Sequence, residues 1–418
     1  MTPADFLIDN ADVIVTCAGP APRRGAAQRE ISALRHAVVA ANEGVIVYAG
    51  AADGLAESVD VRRGATRIDA RGCTVLPGFV DAHTHLVYAG DRRHELQQRL
   101  AGATYAEIAA AGGGIAHTVK ATRAASEDEL VESARARLDE MIGCGTTTCE
   151  AKSGYGLTTE SELRLLRVIH RLNSEHSVDL VPTFLGAHEV PGEYQSRPDD
   201  YVALVINEMI PQVADETLAE WCDVFCEEGA FTPQESVAIL AAAKAVGLKP
   251  RVHADEFGAS GGSHVAAKVG ARSADHLIYV DDAGIDALAG ANVCATLLPI
   301  AAFYLKLGRF APARTLIDRG VAVALASDVN PGGGLSPSMP FAMALACFSM
   351  NMTLEEALVG ATLNAAWSID RADSVGSLEP GKLMDAVMIK GELADLLRVG
   401  TSSVRMVVKR GKAVFWAQ

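Results

Sequence analysis

The chain reads as an α/β protein: a (β/α)8 barrel of the TIM type, carrying a small β-sandwich built from both chain ends. Three observations predict this. Between about residue 76 and residue 370, eight short apolar β-type runs alternate with helical stretches, the pattern of a parallel barrel. The two flanks, residues 1–75 and 371–418, hold short β-type runs separated by Gly and polar turns, and each is too small for a full sheet. The chain has 418 residues, 49% hydrophobic and 21% charged, which is long for one average domain but normal for a barrel with additions. The expected organisation is one composite domain from 1–75 plus 371–418, and a barrel domain over 76–370.

The elements follow in order. DVIVTC, HAVVAANEGVIVYAG and TRIDARGCTVL supply the β-type runs of the first flank. The barrel strands are expected at GFVDAH (78–83), TTTCEA (146–151), LVPTFL (180–185), CDVFCE (222–227), PRVHA (250–254), SADHL (273–277), NVCATLL (292–298) and VAVALAS (321–327). Helical patterns fall between them at 127–142, 159–173, 233–246, 281–289 and 311–319. DAVMIKG, VRMVVKRG and KAVFWA return to short strands. The chain shows no internal repeat and no low-complexity tract.

Composition excludes several classes. A formal charge of −15 argues against nucleic acid and against anionic membranes as partners. It leaves room for a small anionic substrate held by a local Arg. The start, MTPADFLIDNADVIVTC, has no basic leader, and no run reaches the roughly 18 apolar residues of a membrane helix. The eight cysteines show no framework spacing, so reduced core thiols in the cytoplasm are expected. Cys222 and Cys226, four apart, are read as core thiols rather than a metal or redox pair.

Active sites of such barrels lie at the C-terminal strand ends. The first strand ends in His83 and His85, whose side chains point the same way and reach one ion. The third strand runs into His188, the fifth carries His253, the sixth His276, and the eighth leads to Asp328. A lone His-x-His is weak evidence, more often a pair of satisfied buried histidines. Here five of only eleven histidines fall at strand ends on one face, and that concentration predicts a metal site. Imidazole and carboxylate donors suit Zn²⁺ or iron, Fe²⁺ or Fe³⁺. Two-metal barrels commonly bridge their ions with a carbamylated Lys on the fourth strand, but CDVFCEEGA has no Lys. Lys152, after the second strand, is read as an ion-pair partner. One divalent ion is therefore expected, on His83, His85, His253 and Asp328, lowering the pKa of a bound water and supplying hydroxide.

Other residues surround this set. Glu256 follows His253 by three and is a candidate proton carrier; alone it would read as a solvated helix-start Glu. His276 and His188 are candidates to polarise a carbonyl or stabilise an oxyanion, against a plain core role. Arg92 in YAGDRR is placed to hold a carboxylate, and the adjacent Arg93 reads as surface. Tyr155 sits between two glycines in KSGYGL. The Gly run at 112–114 reads as a flexible linker or an anion nest. ASDVNPGGG (326–334) brings backbone close to a ligand. Phosphate-loop and G-x-G-x-x-G motifs are absent.

PGFVDAHTHLVYAGDR, EIAAAGGGI, TTTCEAKSGYGL, TFLGAHEVP, HADE, SADH, LLP and ASDVNPGG occur in this order. In this the chain resembles the imidazolonepropionases, amidohydrolases of histidine degradation, from about residue 75 to 370. His-Thr-His and the Asp motif are shared across the superfamily; KSGYGL, GAHEVP and SDxNPG together are more specific. The resemblance implies hydrolysis of 4-imidazolone-5-propanoate to N-formimidoyl-L-glutamate. It implies Arg92, Tyr155, Asn330, Gly332 and Gly333 as substrate contacts, with His188 on the ring. It implies Glu256 and His276 for water activation and proton transfer, and a homodimer. Gly333 and Gly334 depart from the family's usual Ser or Thr after NPG, so a hydroxyl contact is missing or replaced by backbone. KLMD (382–385) departs from the commoner Gly-x-x-Ala-Asp, an effect expected to stay in the small domain. Two rival readings use the same residues: a related mononuclear deaminase of an aminoimidazole or nucleobase, and a non-catalytic barrel acting as a binding protein.

Overall fold

Eight parallel strands stand side by side in chain order: Phe79–Asp81, Thr146–Lys152, Asp179–Ala187, Trp221–Cys226, Lys249–Ala254, Ser273–His276, Cys294–Leu297 and Val323–Leu325. This computed structural model describes residues 1–104, 107–108 and 111–417; Ala109 and Ala110 of EIAAAGGGI lie outside the described residues. Each strand coincides with an expected run, but the first, sixth, seventh and last are shorter. Beyond Asp81 and Leu325 the two segments leave regular strand geometry and stitch to each other. The Asp328 amide donates to the His83 carbonyl at 3.1 Å and the His85 amide to the Val329 carbonyl at 2.9 Å. Barrel closure therefore runs through the very segments that carry three of the proposed ligands.

The strands are buried along nearly their whole length, as strands between an outer helix layer and a filled interior must be. Alternation separates the two faces. Cys149, Ala151, Cys222, Val224 and Cys226 point outward into the helix-packed core. Val80, Val181, Trp221, Cys294 and Ala324 close the interior at the opposite end from the site. All eight cysteines are free, and Cys222 and Cys226 are core thiols on the outer face, remote from the ligand cluster. The helices Glu127–Gly143 and Pro233–Ala245 start at capping boxes, Ser126 with Glu129 and Thr232 with Glu235. Asp282–Ala291 and Ala313–Asp318 match the expected stretches.

The two flanks meet in one sheet. Ala386–Lys390 pairs antiparallel with Cys73–Pro77 in a six-stranded sheet that also holds Val13–Val15 and Val404–Lys409. A four-stranded sheet, from Thr2–Asp9 to Val59–Asp69, packs on it. Phe6, Ile8, Val39 and Ala41 bury against Val75, Met388, Met406 and Val408, a period-two pattern on both partners. The reverse face of the six-stranded sheet, including Leu76, Val387 and Val407, belongs to the barrel's core. Asp385 of KLMD pairs with Lys409 at 2.6 Å, and Lys409 also reaches Asp179 at 2.7 Å. That departure thus acts where the small sheets meet the barrel's lower rim, far from the site. No helix among the described residues is long and apolar enough to cross a membrane.

Candidate active site

His83, His85, His253 and Asp328 converge at the upper end of the barrel, all buried. Asp328 Oδ1 lies 3.5 Å from His85 Nε2 and 3.7 Å from His83 Nε2, and His253 Nε2 lies 3.2 Å from His85 Nε2. Carboxylates behind them orient two of the rings. His83 Nδ1 is 2.7 Å from Asp275 Oδ2, and His253 Nδ1 is 2.9 Å from Asp223 Oδ2. A carboxylate accepts only, so His83 Nδ1 carries the proton and its Nε2 offers a lone pair toward its neighbours. Burial, then the charge of Lys152 and the other imidazoles, holds His83 well below the usual histidine range, and burial does the same for His85. Neutral imidazoles are the form that binds metal.

These residues fit a divalent cation. His83 Nε2 and Asp328 Oδ1 are buried and find no hydrogen-bond partner, a costly state that an ion between them relieves. Burial pushes the Asp328 carboxyl up to about 7, a penalty that an adjacent cation removes. Asp328 itself sits at φ 54°, in the left-handed region, a strained conformation of the kind that collects at functional sites. Donor atoms of His83, His85 and Asp328 lie within 4.8 Å of one another, as do those of His83, His253 and His276. Lys152 is spoken for: Nζ is 2.7 Å from Glu150 Oε1 and 2.7 Å from Asp223 Oδ2, the ion-pair role expected of it.

A cleft opens beside this cluster. Arg92, Tyr155, His188, Glu256, His276, Asn330 and Gly333 line it, with apolar walls from Ile115, Phe225, Phe257 and Leu305. Glu256 Oε1 is 3.5 Å from His276 Nδ1. Burial, then the negative charges of Asp328 and Glu227, holds the Glu256 carboxyl well above its usual range. His188 Nδ1 donates to the Gly154 carbonyl at 2.9 Å, and burial pushes its pKa down to about 3, leaving Nε2 as an acceptor. Its ring stacks on His85, centroids 5.0 Å apart, and lies 5.2 Å from Tyr155. Gly332 does not line the cleft. Its carbonyl accepts from Arg99 Nη2 at 2.7 Å, and a Cβ there would overlap the Arg92 guanidinium. Asn330 Oδ1 accepts from the amides of Gly332 and Gly333, both at 2.7 Å. A Cβ on Gly333 would lie 2.9 Å from Leu305 Cγ, and one on Gly334 would overlap the Asp328 carbonyl. Leu305 thus occupies space that a hydroxyl-bearing residue 333 would need. In the 112–114 run, the Gly114 amide donates to Glu95 Oε1 at 2.8 Å, so it is a pinned turn. Arg93 is exposed.

Residues 74–414 match the amidohydrolase family. The chain is 45% identical to the imidazolonepropionase of Clostridium tetani, covering 99% of each chain. It is 49% identical to that of Geobacillus kaustophilus, over 98% of this chain and 97% of the relative. The chain belongs to the imidazolonepropionase family of amidohydrolases. Distant solved structures share the fold. An adenosine deaminase from Xanthomonas campestris with bound zinc matches with a TM-score of 0.69 at 18% identity, over 99% of this chain and 93% of that one. A triazine hydrolase variant gives 0.74 at 19% identity, over 98% and 94%.

Within this family frame, sequence reading reached the residues that face the cleft and missed those that orient them. Asp223, Asp275, Arg251, Glu150 and Glu227 were not singled out. Asp275 and Arg251 are joined at 3.1 Å, and Glu227 accepts from the amides of Glu256 and Phe257 at 3.0 and 2.9 Å. A signal was present: charged residues at every second position of otherwise apolar strands, as in Glu150/Lys152 and Arg251/His253. On a buried strand such a residue faces the barrel interior and needs a partner there.

Proposed function

We infer that this chain hydrolyses 4-imidazolone-5-propanoate to N-formimidoyl-L-glutamate, in the cytoplasm, as a step of histidine degradation. The observation that carries the reading is one cleft lined both by His85, His253 and the orphaned Asp328 carboxylate and by a buried guanidinium, Arg92. A carboxylate-bearing substrate needs that Arg; a nucleobase does not.

Arg92 holds the propanoate and fixes which end of the ring meets the cluster. Tyr155 and Asn330 complete the polar lining, and Gly332 leaves room for the guanidinium. His188, with Nδ1 committed to the Gly154 carbonyl, accepts from a ring N–H through Nε2. A divalent ion on His83, His85, His253 and Asp328, Zn²⁺ or Fe²⁺, supplies Lewis acidity that brings the pKa of a water toward neutrality. Glu256 takes a proton from the attacking water and delivers it to the ring nitrogen as the C–N bond of the cyclic amide breaks. Its burial-raised proton affinity suits a group that must both accept and donate. His276, 3.5 Å away, steadies that proton and the developing oxyanion. Gly333 offers its backbone to the cleft.

The reading takes residues 1–75 and 371–418 as one composite domain, residues 76–370 as the barrel domain, and a second copy of the chain as the partner. The test is direct. Purified protein carrying about one metal per chain should consume freshly made imidazolone propanoate and accumulate formimidoylglutamate. Absence of that product from folded, metal-bearing protein, or release of ammonia from an aminoimidazole or nucleobase instead, refutes it.

A further inference from the structure

Two loops carry the side chains that meet the ring: residues 153–158, with Tyr155, and the segment after the third barrel strand, beginning at His188. Glu162 is fully buried in the first turn of the helix Thr159–Glu175. That helix has its own cap, since Thr158 Oγ1 accepts from the Ser161 amide at 3.2 Å, so it does not need Glu162 for this. The carboxylate turns back into the loop instead. It accepts from Gly154 N at 2.9 Å, Gly156 N at 2.7 Å and Leu157 N at 2.8 Å. Both neighbours of Tyr155 are thereby held by one charge.

The loop's carbonyls face other partners. Gly154 O accepts from His188 Nδ1 at 2.9 Å. Gly156 O and Leu157 O accept from Arg123 Nε and Nη2 at 2.6 and 3.1 Å. Arg123 Nη1 lies 2.9 Å from Glu193 Oε1 in the His188 segment. The loop has little slack of its own. Leu157 is left-handed at φ 51°, a Cβ on Gly156 would lie 2.7 Å from Glu162 N, and one on Gly154 would lie 3.1 Å from His188 Nδ1. Charge-assisted bonds to a carboxylate are the strong kind, and three of them meet at one buried group.

We propose that Glu162 and Arg123 are positioning residues: a two-sided clamp that sets the placement of Tyr155 and His188, and so the affinity for the imidazolone ring, without touching substrate. This rests on the function inferred above. Glu162 holds the loop's amides, Arg123 its carbonyls, and Gly154 passes the constraint to the His188 ring.

The experiment uses the metal-bearing full chain with Glu162→Gln and, separately, Arg123→Met. Gln keeps the shape but turns an N–H₂ toward at least one loop amide. In each variant KM should rise about tenfold or more, with kcat within about threefold and one metal per chain retained. Tyr155→Phe should weaken binding in the parent chain and add little in Glu162→Gln, because the two act on one placement. Amide exchange should lose protection in 153–158 and keep it across the barrel strands. A fall in kcat and active fraction at unchanged KM would mark a merely structural role and overturn the proposal, as would full retention of protection in 153–158. If the parent chain fails to consume imidazolone propanoate, the functional reading falls, and the exchange pattern still decides the clamp. If one variant fails to fold, the other carries the test.

Discussion

Gly332→Ala tests whether a residue outside the cleft governs substrate binding through Arg92. An added Cβ would overlap Arg92 Nη2 and Cζ and lie 3.0 Å from Nε. Arg92 is only 4% exposed, so its guanidinium has little room to yield except toward the cleft. Displacement disturbs a bidentate, charge-assisted contact worth about 1.5–3 kcal/mol, which is roughly ten- to a hundredfold in affinity. Overpacking adds about 1–3 kcal/mol of destabilisation. Steady-state kinetics on imidazolone propanoate should show KM rising by that factor and kcat changing less. Arg92→Met should give a similar KM, and the double variant should be little worse than Arg92→Met alone. An unchanged KM in Gly332→Ala, or full additivity in the double variant, refutes the reasoning.

Three further outcomes are expected. Asp275→Asn removes the acceptor that fixes His83 Nδ1, so metal affinity should fall about 10- to 100-fold in chelator competition, with reduced Arg251 pairing lowering the melting temperature. Glu256→Gln should cut turnover about 10²–10⁴-fold while metal analysis stays near one per chain; unchanged turnover removes it as the proton carrier. Burial works against the Glu356 carboxylate, but the Thr353 amide, Arg29 and Arg314 together hold it below its usual range. Its contribution is therefore present above the unfolded-state carboxyl pKa and lost as pH falls through the lower folded value. Glu356→Gln should lower stability at neutral pH and narrow its gap from the parent chain through the acid range, followed by denaturant melts.

The barrel and the cluster at its upper end were legible in the sequence because both follow from local chemistry. Apolar β-type runs of similar length repeat between capped helices, and a parallel strand buried on both faces leaves that trace. His83 and His85 stand two apart, and the strand period names them as a pair, although regular strand geometry ends at Asp81. Tertiary structure decided what local pattern does not encode. Asp223 and Asp275 sit mid-strand, and only closure of the ring sets each against a histidine some 30 or 190 residues away. The requirement at Gly332 comes from Arg92, 240 positions earlier, and the space beside Gly333 is taken by Leu305. Residue type and period name which groups can bind, because they are properties of neighbouring positions. Which partners orient those groups depends on contacts between distant strands, and these exist only in the folded barrel.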